Sequence, residues 1–157
     1  MTGFTSGRFA KALGLCLLIA GTLDISDALI FYGIRGVSPI RLLQSIASGL
    51  LGPSAMHGGL TTAALGLGIH YTITLCWAAL FLLAATRIDF LTRYAVISGL
   101  IYGGIIYVVM NYVVLPLTRV ASHGHHPAPV ILLNAVLALL LCQGLPIALI
   151  ARHFIRE

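Results

Sequence analysis

Two aspartates, Asp24 and Asp27, lie inside a run that is otherwise apolar from about residue 13 to residue 32. A spacing of three puts both carboxylates on one face of a helix. An ionised carboxylate at the centre of a bilayer costs at least about 2.5–3.5 kcal/mol, so it faces inward, finds a partner or takes up a proton. Two carboxylates one turn apart also raise each other's proton affinity. The pair therefore reads either as a proton or cation site or as a structural polar knot fastened to other helices. Candidate partners stand on two later apolar runs. Thr62, Gly66, His70 and Thr74 recur at a step of four, as do Gly99, Gly103, Tyr107 and Asn111. Stripes of small and polar residues are what close helix contact in lipid uses. One intramembrane polar cluster of Asp24, Asp27, His70 and Asn111 is expected, with Asn134 placed to join it. Gly99-x-x-x-Gly103 reads as an internal helix contact or, less directly, as a dimer face.

The string His123-Gly-His125-His126 is the most metal-like in the chain. Imidazoles suit zinc, copper or nickel, but a closed structural zinc site needs four ligands. Here three histidines crowd a loop with no thiol beside them, and His57 is the nearest candidate fourth ligand. The string reads as a solvated polar loop or as a weak copper or zinc site, and no other cofactor is expected. Phosphate-cradling and dinucleotide-binding glycine loops are missing from the sequence, as is a nucleophile elbow. The expectation leans away from an enzyme.

Composition says what must position these residues. Of 157 residues, nine are Lys or Arg and four are Asp or Glu, which is 8% charged against 59% hydrophobic. A soluble domain carries roughly 25% charged residues, so this surface cannot be coated for water. Disorder is excluded by the hydrophobicity. The basic residues stand in ones and twos between apolar runs, as loop anchors do, so the net charge of +5 does not indicate nucleic-acid binding. Cys16, Cys76 and Cys142 each sit in an apolar run without a C-x-x-C motif, and read as reduced packing residues.

A helix needs about 20 apolar residues to span a bilayer, and four runs qualify, at about 13–32, 60–85, 94–115 and 130–151. The first reads as an uncleaved span rather than a signal peptide. Between the first two, Ser38-Pro39 is a helix start. Ile40, Leu43, Ile46, Ala47 and Leu50 then form a stripe opposite Arg41, Gln44, Ser45 and Ser48. This predicts an amphipathic interfacial or re-entrant helix over about 39–51. Gln143-Gly144-Leu145-Pro146 predicts a kink in the last span. The fold class expected is all-α: an integral membrane four-helix bundle in one domain, residues 1–157. Arg8, Lys11, Arg87, Arg93, Arg152 and Arg156 fall on one side, with Arg35, Arg41 and Arg119 on the other. That bias puts both termini in the cytoplasm.

Four segments also resemble a group of small bacterial inner-membrane proteins. They are Ala20-Gly-Thr-Leu-Asp-Ile-Ser-Asp-Ala28, Leu43-Gln-Ser-Ile-Ala-Ser-Gly-Leu-Leu-Gly52, Gly58-Gly with Ala64-Leu-Gly-Leu-Gly-Ile-His70, and Met110-Asn-Tyr-Val-Val-Leu-Pro-Leu117. The group is distantly similar to YagU-like proteins. The resemblance implies a bacterial inner-membrane location and four spans, and brings no catalytic residues with it. The function expected is an accessory or scaffold subunit of a membrane assembly, in contact with the lipid bilayer and with copies of itself or a larger complex. The alternative is a proton- or cation-coupled transporter or channel using Asp24, Asp27 and His70.

Overall fold

The computed structural model describes residues 6–119 and 128–156, which are helical apart from short turns, with no strand among them. The histidines at 123, 125 and 126 lie outside the described residues. Helix α1 is Ser6–Gly33, α2 is Pro39–Leu51 and α3 is Gly59–Ala85, with a short 3-10 turn, Pro53–His57, between the last two. A single turn, α4 (Asp89–Arg93), leads into α5 (Ala95–Leu117), and α6 is Pro129–Arg156. Helices α1, α3, α5 and α6 are each long and apolar enough to cross a membrane. Leu, Ala and Ile dominate them, and Leu and Ala are strong helix formers. Helix α1 starts at Ser6, ahead of the apolar run, so Arg8 and Lys11 sit on its first turns.

Local chemistry sets the breaks. The chain turns through left-handed backbone at Gly36 (φ 85°) and Gly52 (φ 77°), a region that glycine enters without steric cost. At the start of α2, the Ser38 side chain accepts a hydrogen bond from the Arg41 N–H at 3.3 Å, with Pro39 in the first turn. Two prolines reshape the long helices. A helical proline has no N–H, and its ring presses on the carbonyl four residues back. Just ahead of Pro116 and Pro146 the helix widens into π turns, Met110–Val114 and Leu139–Gly144. In each, the next N–H reaches back five residues: Leu115 to the Met110 oxygen and Leu145 to the Leu140 oxygen. The kink expected at Gln143–Pro146 thus takes the form of a π turn, and α5 has a second that the sequence reading did not foresee.

Helix α6 packs against both α1 and α5, α3 packs against α1, and α4 packs on the last part of α6. The fully apolar core lies toward one end. It joins Ala12, Cys16 and Ala20 of α1, Ala78, Phe81, Leu82 and Ala85 of α3, Ala95, and Ile147, Ala148 and Ala151 of α6. Small residues at a step of four let α1 lie close to its neighbours. The contact between α5 and α6 is closer still. A Cβ built on Gly144 would stand 2.6 Å from the Gly103 nitrogen, and one on Gly99 would stand 2.8 Å from the Leu145 Cα. The Gly99/Gly103 stripe is therefore an internal contact against Gly144.

Helix α2 departs from the simple amphipathic picture. Its buried residues are Gln44, Ala47 and Ser48, whereas Ile40, Leu50 and Leu51 are exposed. The reason is Gly66. With no side chain there, the α2 backbone rests on α3, and a Cβ on Gly66 would collide with the Leu43 carbonyl. The Gln44 amide donates to the Gly59 carbonyl at 3.0 Å, which satisfies a polar group that burial would otherwise penalise. The far side of α2 meets the end of α5, where the Arg119 N–H donates to the Gly49 carbonyl at 2.9 Å.

Replacing Gly144 by Val should lower stability by about 1–3 kcal/mol, the usual effect of overpacking. Gly104→Ala, where no neighbouring atom lies within 4 Å of an added Cβ, should raise it by about 0.5–1 kcal/mol. Thermal unfolding of the purified variants in detergent reads both; equal effects would contradict the α5–α6 contact.

Candidate functional site

Beyond the apolar core, α1, α3 and α6 carry three successive cross-helix polar contacts. The one nearest the core joins α6 to α3. Gln143 is 3% exposed and donates from Nε2 to the Thr74 hydroxyl at 3.1 Å.

The second layer joins α3 to α1 through His70. Its Nε2 lies 2.9 Å from the Gly21 carbonyl oxygen and its Nδ1 lies 3.9 Å from Asp24 Oδ2. A carbonyl only accepts, so Nε2 carries a proton; the tautomer is assigned from this partner. A neutral ring then turns its Nδ1 lone pair toward the Asp24 carboxylate, and the two repel. The contact becomes attractive when one more proton is present, either on Nδ1 as an imidazolium or on Asp24. The geometry therefore defines a site with a place for one proton. The side chains are 19% (Asp24) and 11% (His70) exposed, so little water is available to screen the pair. Gly21 makes this approach achievable, because a Cβ there would stand 2.8 Å from the Tyr71 ring. Beside it, the Thr22 and Tyr71 hydroxyls share a hydrogen bond of 3.0 Å.

The third layer joins α6 to α1. Asn134 Nδ2 donates to Asp27 Oδ2 at 2.8 Å. This partner is a neutral amide, so it satisfies an ionised carboxylate without cancelling its charge. The two aspartates thus share a helix face but meet different neighbours.

Asn111 is placed differently from the cluster expected of it. Its amide donates to the Tyr107 carbonyl of its own helix at 2.9 Å. It lies in the π turn of α5, where backbone pairing shifts by one residue, and its hydrogen bond serves that local backbone. Tyr71 and Thr22 are members of the polar zone that sequence reasoning missed. Their signal was a hydroxyl one residue from a singled-out position, Tyr71 beside His70. Gln143 had been read only as part of a kink. Among the described residues, no group of three His, Cys, Asp or Glu side chains is arranged to hold a metal ion. His57 is exposed, at the end of the 3-10 turn.

Comparison with protein-family models, with curated proteins and with solved structures gave no match. The chemistry of the site rests on its geometry alone.

Replacing Asn134 by Leu leaves the Asp27 carboxylate without its 2.8 Å donor and should cost about 0.5–2 kcal/mol. Asp27→Asn, which keeps an acceptor oxygen, should cost less. In a double-mutant cycle read by thermal unfolding, zero coupling between positions 27 and 134 would contradict the contact.

Proposed function

We propose that this chain is a multi-pass protein of a bacterial inner membrane, with both termini in the cytoplasm and α2 at the outer interface. In this reading α1, α3, α5 and α6 are the spans. Support comes from the basic residues. Arg8, Lys11, Arg87, Arg93, Arg152 and Arg156 gather at the end carrying the termini and the α3–α5 turn, and such clustering marks cytoplasmic ends. The resemblance to small bacterial inner-membrane proteins, themselves distantly similar to YagU-like ones, points the same way.

Within the membrane we infer an accessory or scaffold role, in a homo-oligomer or a larger assembly, rather than an enzymatic one. The observation that carries this is the closure of the polar side chains on one another. Gln143 with Thr74, His70 with the Gly21 carbonyl, and Asn134 with Asp27 each bind one helix of the bundle to another. A polar network satisfied in this way rigidifies a bundle and specifies one packing. Meanwhile Leu18, Leu23, Ile30, Leu83, Ile101, Val108 and Leu133 face outward, toward lipid or a neighbouring subunit.

A second reading is favoured by one observation, the 3.9 Å approach of His70 to Asp24. An intramembrane ionisable pair with room for a proton suits proton- or cation-coupled transport. A weak copper or zinc site at His123, His125 and His126 belongs to a third reading. Untagged protein carrying no copper or zinc by elemental analysis would remove it.

Reconstituted protein should give no proton or cation flux above empty liposomes, and Asp24→Asn should leave that baseline unchanged. Flux that appears with the wild type and is lost in Asp24→Asn would replace the scaffold reading with the transport one. A fluorescent protein fused after Arg156 should light up in the cytoplasm, whereas alkaline phosphatase fused there should be inactive. The reverse pattern would overturn the orientation.

A further inference from the structure

A groove of about 210 Å³ runs between α3 and α5 on the outside of the bundle, close to the α4 turn. Trp77 and Phe81 of α3, Phe90 of α4, and Ser98, Ile101 and Tyr102 of α5 are among its walls. It is almost wholly apolar, with one exception. Ser98 is 4% exposed, and its hydroxyl has no hydrogen-bond partner. The hydroxyl of Tyr102, by contrast, is spent on the Trp77 carbonyl at 2.6 Å. A buried hydroxyl without an acceptor is destabilising, so the groove offers one donor to whatever fills it. The volume falls below the roughly 300–1,000 Å³ typical of pockets that enclose a drug-sized ligand, so the groove would hold part of a chain rather than enclose a whole molecule.

Charge at the mouth of the groove narrows the occupant further. Phe90 and Leu91 line it; the exposed Arg87 precedes the α4 turn and the exposed Arg93 ends it, with its guanidinium 5.7 Å from the Tyr94 ring centroid, and Asp89 between them offsets part of their charge. Helix α4 packs against the last part of α6, where Arg152 and Arg156 add two more exposed cations. Ser98 lies about one turn into α5 from this basic rim, at the depth where a lipid inserted from the same side carries its glycerol esters. We propose that this groove binds one anionic phospholipid. An acyl chain lies along Trp77, Phe81 and Tyr102, an ester carbonyl accepts the Ser98 proton, and the headgroup meets Arg87 and Arg93. The inference rests on the membrane reading above and adds a specific lipid site to it.

Trp77 is the single tryptophan of the chain, so its fluorescence reports on the groove directly. The protein is purified in a non-quenching detergent and titrated with bromine-labelled phosphatidylglycerol or bromine-labelled phosphatidylcholine. Phosphatidylglycerol should quench Trp77 saturably and with higher affinity. Ser98→Ala should weaken that quenching about two- to tenfold. Arg87→Gln and Arg93→Gln should each cost about fivefold and remove the preference for the anionic lipid. Ala84→Phe, which fills the groove from a lining position, should abolish saturation, with thermal unfolding confirming that each variant is folded. Equal, non-saturating quenching by both lipids means bulk lipid only and overturns the proposal. Absence of quenching by either, in a protein that elutes as an oligomer, assigns the groove to a second copy and also overturns it. Extraction of the native protein from membranes by alkaline carbonate would instead defeat the membrane reading, so the two failures remain distinct.

Discussion

Close approach of helices at glycine is the constraint on which the rest of this bundle depends. On the membrane reading proposed above, burying apolar surface does not drive the helices together, because acyl chains are as apolar as leucine. Association must come from short-range packing and hydrogen bonds, both of which need close approach. Glycine supplies it at three places: Gly21 under the Tyr71 ring, Gly66 under the α2 backbone, and Gly99 and Gly103 against the Gly144 region. The hydrogen bond from His70 to the Gly21 carbonyl is a consequence. With a side chain at position 21, α3 would stand farther off, and the imidazole would lose both the carbonyl and its distance to Asp24. The polar chemistry is thus downstream of packing.

The same constraint explains why the bundle is zoned. Along α1, Ala12, Cys16 and Ala20 face an apolar core of alanines with Phe81, Leu82 and Ile147. From Gly21 onward Asp24 and Asp27 join the buried Ile25 on the sides of α1 that meet other helices, and α3 and α6 bring polar partners from Thr74 and Gln143 onward. Half-satisfied polar groups in a low-dielectric interior are worse than none, so a polar zone is stable only if its members arrive together on all three helices. Thr74 with Gln143, His70 with the Gly21 carbonyl, and Asn134 with Asp27 meet that condition.

The four long apolar helices and the polar residues of α1 and α3 were legible in sequence, since length, hydropathy and a step of four are properties of one segment alone. Asn134 could also be placed near Asp27 from its position in the last run. What the sequence left open was which stripe would meet which. Asn111 shares a step of four with Gly99 and Gly103, yet its amide serves Tyr107 in its own helix. Pro116 is the cause in physical terms, since it forces the π turn in which Asn111 sits. A polar residue one turn ahead of a proline in an apolar run is poised to repair local backbone before it reaches another helix. Helix α2 misled for a related reason. Its periodicity identified a helix with two faces, but Gly66 on another segment decided that Gln44 and Ser48 would be buried.

Asp24 and Asp27 began as one feature, two carboxylates on one face, and their partners divide them. Asn134 can hold an ionised Asp27 by a hydrogen bond but cannot neutralise it. His70, whose Nε2–H is held by the Gly21 carbonyl, attracts an ionised Asp24 only when its Nδ1 also carries a proton. A carboxylate that must stay charged is best served by an amide whose donor does not titrate. One whose charge must be tolerated or cancelled is best served by a histidine. The α1–α3 contact is therefore attractive only with one proton more than a neutral His70 and an ionised Asp24 hold between them, while the α1–α6 layer beside it is held by a neutral donor. Any change of charge in this zone would act first between α1 and α3, one helical turn from Gly66 and the seat of α2.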